Sequence, residues 1–177
     1  MASSEDNKES GTLIYDRAKH HFLGNFPSIL PIEQAYVHIG MFLGWMLEKE
    51  LYSSIFEDEE AHQVIRFLKR DMSCAILSAI WDGYLGEDLF NKEGNAFSVY
   101  YYQSGMYHKD YQEVLANDLP SIYHVEDTWE NYDKLSQKID ERYDVWKKNY
   151  APDEEGKINE LAAELKSRGK TNDATSG

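Results

Sequence analysis

The sequence predicts an all-α fold, a compact multi-helix bundle with one long C-terminal helix. Three observations predict it. Residues Ala35–Leu47 are apolar nearly all round, interrupted only by His38 and two glycines, as in a helix at the centre of a bundle. Val125, Trp129, Tyr132, Ser136, Ile139, Tyr143, Trp146 and Tyr150 recur at intervals alternating four and three, the period of a helical seam. No stretch alternates apolar and polar residues convincingly enough to call a strand.

Taken in order, residues 1–12 are polar and expected to be loose. Tyr15–Leu23 is a short helix stopped by Gly24-Asn25. Pro31 suits the first turn of a second helix running from about Ile32 to Leu51, since its missing N–H costs nothing there. On that helix Gly40 and Gly44 share a face, so another helix or an aromatic ring can approach closely. Membrane helices pair through the same spacing, but this apolar run, Ile39–Leu47, is about half the length of a span.

Ser54-Ile-Phe-Glu57 has the spacing of a capping box. It predicts a third helix with Ala61, Val64, Ile65 and Leu68 buried. A fourth begins near Ser73, buries Ile76, Leu77, Ile80 and Trp81, and ends at Asp82-Gly83, where glycine suits a left-handed cap. Glu87–Tyr102 is helical with a break around Gly94-Asn95, although Val99–Tyr102 could form a small hairpin. Tyr107–Ala116 adds one short helix. The final seam carries bulky Trp and Tyr, which favours a bundle helix over a two-stranded coiled coil. The chain thus divides into a flexible 1–12, a single helical domain 13–150, and a polar tail 151–177.

Composition narrows function by exclusion. Net charge is −14, and residues 1–10 and 151–177 carry −2 each, so the folded body is itself strongly acidic. Such a field repels phosphate backbones and attracts a basic partner, so nucleic acid is not expected. A single cysteine, Cys74, lies in an apolar run and reads as a buried inert thiol. The N-terminus has no apolar segment, so neither secretion nor a membrane is expected, and the location should be cytoplasmic.

Candidate chemistry is sparse. Asp16 and His20 stand four apart, and Glu59 precedes His62 by three, a Glu-x-x-His step. Carboxylate-bridged di-metal bundles use two such steps, and only one occurs here. Asp16, His20, Glu59 and His62 are therefore the ligands of a secondary reading, a small metal-dependent enzyme. No nucleophile elbow or phosphate-binding glycine loop occurs, and no catalytic residue or cofactor is expected. His38 reads as a hydrogen-bonded core residue. The acidic run Glu57, Asp58, Glu59 and Glu60 is the candidate partner-binding patch, although ordinary stabilisation of a helix N-terminus is the plainer explanation of it.

Tyr15-Asp-x-Ala-Lys-x-His, Phe26-Pro-x-x-Leu-Pro, Gln34-Ala-x-Val-His-Ile-Gly and Phe42-Leu-Gly-Trp45, with Glu93-Gly94-Asn95-Ala96-Phe97 and Asp110-Tyr111, resemble a largely uncharacterised family of small bacterial helical proteins. Some of its members are associated with toxin-immunity loci. The resemblance implies an immunity or antitoxin protein that covers a cognate, basic toxin domain. It transfers no catalytic residue. A third reading is a homo-oligomeric module associating through the last helix.

Overall fold

The computed structural model describes residues 8–9, 12–58 and 60–150. It is a helical bundle with a small sheet at one side. Strands β1 (Lys8–Glu9), β2 (Thr12–Arg17) and β3 (Tyr84–Gly86) pair antiparallel in the order β1-β2-β3. Helices α1 (Ala18–Phe22), α2 (Val37–Glu48), α3 (Ala61–Leu68), α4 (Cys74–Ile80), α5 (Lys92–Ser98), α6 (Met106–Leu115) and α7 (Trp129–Asn149) make the rest, joined by short 3-10 turns. No helix among the described residues is long and apolar enough to cross a membrane. Of the 1–12 stretch expected to be loose, residues 8, 9 and 12 lie in strands; the others, and 151–177, fall outside the described residues.

Helix α2 is the axis of the bundle, with every residue from Val37 to Leu47 buried. Both of its glycines do what their spacing predicts. The bare Gly40 lies against the backbone of α4 at Cys74, and Gly44 against the ring of Phe67 from α3. Trp45 reaches the other side, where its indole N–H donates to Asp140 of α7 at 2.9 Å. The aromatic interior is real: Trp45, Tyr101, Tyr107, Tyr111, Tyr132 and Phe42 are among the largest fully buried side chains.

Several expectations are corrected. Tyr15–Arg17 are strand, not helix, because β2 pairs with β3 before the chain turns into α1. Ser54–Phe56 is a separate 3-10 turn rather than a cap, since Phe56 is drawn into the core against Trp81. Helix α3 starts at Ala61 and buries Val64 and Phe67; Ile65 and Leu68 are exposed. Seating Phe67 in the Gly44 notch sets that rotation. Helix α4 likewise buries Cys74, Leu77 and Ser78, leaving Ile76 and Ile80 partly in water. Gly94 does not break a helix; it sits inside α5, where a Cβ would stand 2.5 Å from the Leu51 carbonyl oxygen. Val99–Gln103 forms neither strand nor α-helix but one π-helical turn.

Asp82-Gly83 ends α4 as expected, both residues having positive φ. The C-terminal helix begins at Trp129, capped by the Thr128 hydroxyl, and lies across α2 and α6. Its buried face is Tyr132, Leu135, Ile139 and Trp146, so Leu135 takes the place expected for Ser136. Of the seam proposed for self-association, Tyr132, Ile139 and Trp146 are buried against the chain itself, whereas Tyr150 is exposed. Cys74 is buried, and burial pushes its thiol well above the ordinary value.

Candidate metal centre

One aspartate and three histidines converge from four elements. Asp16 lies near the end of β2, on the core-facing side with Ile14 and next to a register irregularity between Ile14 and Asp16. Bulges of this kind re-aim side chains beside functional sites. His21 follows on α1, His38 is the second residue of α2, and His108 the third of α6. Their ligand atoms all lie within 4.8 Å of one another.

The individual distances are specific. His21 Nε2 is 2.7 Å from Asp16 Oδ1 and 3.3 Å from His38 Nε2. Asp16 Oδ2 is 3.4 Å from His38 Nε2 and 3.7 Å from His108 Nε2. A tetrahedral ion with bonds of 2.0–2.1 Å to nitrogen places its ligand atoms about 3.3 Å apart. Three of these four separations lie within about half an ångström of that edge. The donor set, neutral imidazoles with one carboxylate, is also what zinc and its neighbours prefer.

Outer contacts hold the ligands in place. Tyr102 O–H donates to Asp16 Oδ2, and the Arg17 backbone N–H donates to Oδ1 at 2.8 Å. His21 Nδ1 shares a 2.6 Å hydrogen bond with the Tyr123 hydroxyl. His38 Nδ1 makes no hydrogen bond among the described residues; its ring is set by the surrounding His21, His108, Tyr111 and Tyr123 rings, while Tyr107 O–H donates to its backbone carbonyl. Partners on the far nitrogen or on the carboxylate are the usual means of fixing a metal ligand. The π-helical turn matters here. It buries consecutive residues, so that Tyr101 reaches Asp110 while Tyr102 reaches Asp16. Single π turns of this kind recur at functional sites.

The protonation states suit a cation. Burial alone would raise the Asp16 carboxyl, but hydrogen bonds from His108, His21 and His38 outweigh it and hold the group well below the ordinary range. Burial drives His38 down to about 4, although Asp16 opposes that shift. A charged carboxylate and a neutral imidazole are the forms that ligate metals.

Of the four residues of the metal reading, Asp16, His20, Glu59 and His62, only Asp16 belongs to this centre, and His38, read as a core residue, joins it. His20 is exposed, because a strand followed by a helix brings residue 21, not residue 20, back over Asp16. His62 is exposed on α3, away from the cluster, and Glu59 lies outside the described residues. Glu57 and Asp58 are exposed in the turn before α3, and Glu60 is its half-buried N-cap residue. His38 carried a signal as a lone polar residue in an apolar helix, and His21, like Asp16 and His38, stands in the segments that carry the family resemblance. Nothing in the sequence pointed to His108, Tyr102 or Tyr123 as part of a metal centre.

A family model matches residues 14–125, a span that contains Asp16, His21, His38, Tyr102, His108 and Tyr123. The chain belongs to the domain-of-unknown-function family DUF7832. In this member the whole candidate centre lies inside the DUF7832 domain, and α7 lies beyond it. No curated protein and no solved structure matches the chain.

Proposed function

We propose that this DUF7832 domain binds a divalent transition-metal ion, zinc foremost, through Asp16, His21, His38 and His108. The observation that carries the reading is convergence: four ligand atoms from four separate elements lie within 4.8 Å of one another, with 3.3, 3.4 and 3.7 Å between three of the pairs. A purely structural polar cluster would need fewer histidines. One carboxylate is already satisfied by Tyr102 and the Arg17 N–H, and a third imidazole facing it gains little. Metal analysis of gently purified full-length protein and zinc titration calorimetry test it. One equivalent of zinc is expected, with His108→Ala weakening binding by more than the roughly 10–100-fold that loss of an outer-shell partner costs. A metal-free protein whose weak zinc uptake ignores both His108→Ala and His21→Ala overturns the reading.

A second reading rests on a separate observation, the acidic body with Glu57 and Asp58 exposed in front of α3. It supports a cytoplasmic bacterial module that meets a basic protein partner, as an immunity protein meets its toxin. Electrostatic complementarity of this kind acts chiefly on association rate. Reversing Glu57 and Asp58 to Lys should slow association with the partner recovered from the native host and flatten its salt dependence. Unchanged kinetics would remove these residues from the interface.

A further inference from the structure

We infer that an ion held by these four ligands expands to five-coordinate, taking water or a small anion as an exchangeable fifth ligand. The inference rests on the metal reading above. It follows from three features of the cluster.

Enclosure is one-sided. The side chains of His38 and Asp16 are 1 % and 9 % exposed, whereas those of His21 and His108 are 17 % and 33 % exposed. Solvent therefore reaches the cluster from the α1 and α6 side, with the half-buried Tyr123 at its edge. A zinc ion with four protein ligands takes a further one only by expanding to five-coordinate, and the solvent-facing side is where that fifth ligand enters.

Asp16 offers the ion only one oxygen. Oδ1 already accepts from the Arg17 N–H and sits 2.7 Å from His21 Nε2, closer than the edge of about 3.3 Å that two ligands of one tetrahedral ion require. Oδ2, at 3.4 and 3.7 Å from two of the nitrogens, is the ligating atom. Tyr102 donates to that same oxygen and draws electron density from it, which makes it a weaker donor. The carboxylate cannot close the open side by binding through both oxygens.

Charge then selects the ligand class. Three neutral imidazoles and one carboxylate leave a divalent ion with a net positive charge, so the fifth position attracts anions. The strongly acidic surface opposes their approach, which favours small anions that make direct contact with the ion.

Cobalt(II) substitution reads this directly. The full-length chain is loaded with cobalt, its visible spectrum recorded, and azide titrated in. One cobalt per chain with bands that shift saturably with azide is the expected result. Stoichiometric cobalt whose bands do not respond to azide at any concentration overturns the exchangeable fifth ligand and leaves the metal reading standing. Failure to bind either cobalt or zinc overturns both.

Discussion

Gly40 meets the Cys74 carbonyl so closely that a methyl group on it would stand 1.9 Å from the carbonyl oxygen. Helices α2 and α4 therefore touch backbone to backbone. Gly40→Ala must push the helices apart, because a backbone carbonyl cannot swing away. A loss of about 3 kcal/mol or more is expected in urea denaturation. Gly44→Ala meets the Phe67 ring at 2.3 Å instead, and a side chain can yield. It should cost less than Gly40→Ala, and the reverse order would mean that α2 and α4 do not pack as described.

Asp110 is fully buried and accepts from Tyr101 O–H at 2.8 Å and from Arg142 at 2.8 and 2.9 Å. Removing the cation strands a buried anion, whereas removing the anion leaves Arg142 able to reach water. Arg142→Met should therefore cost about 2–3 kcal/mol, and Asp110→Asn about 1 kcal/mol. Chemical denaturation of the two variants checks the inequality.

Alkali should unfold the protein through its tyrosines. Burial, reinforced by the 2.8 Å hydrogen bond to Glu93, raises the Tyr143 phenol to about 12. Burial pushes Tyr132 up further still. A folded value above the unfolded one contributes stability in full below pH of about 10, lost as pH rises through the folded value. Urea midpoints should fall steeply between these limits, in step with tyrosinate absorbance. Tyr143→Phe removes one titrating group and should flatten the fall.

Zinc should raise thermal stability, because its ligands tie β2, α1, α2 and α6 together. At a hundred times the dissociation constant the gain is about 2.7 kcal/mol. Melting curves with zinc and with a chelator measure it, and Asp16→Asn should reduce the difference. Identical curves in wild type would show that no ion bridges these elements.

Thr128 caps α7, its hydroxyl accepting from the Asn131 N–H at 3.2 Å. Thr128→Ala should cost about 1 kcal/mol. A neutral result would mean that α7 is held by its buried face alone.

Much of the bundle was legible in residue pattern. The run Ala35–Leu47 announced a central helix, Gly40 and Gly44 announced a close neighbour, and Asp82-Gly83 announced a stop. What failed was orientation within short helices. In α3 and α4 apolar residues are spread around the cylinder, and only the Phe67 and Cys74 contacts with α2 decide which of them are buried. Strand β2 was missed because its partner β3 has three residues and lies about 70 positions away along the chain.

The sequence by itself determined a helical, aromatic-filled and acidic domain, since periodicity and charge are local quantities that add along the chain. Only the tertiary structure decided that Asp16, His21, His38 and His108 share one centre. No spacing rule links a strand end, two helix starts and a five-residue helix. Their meeting depends on how α1 and α6 dock on α2, and that docking is set by the shapes of the buried side chains.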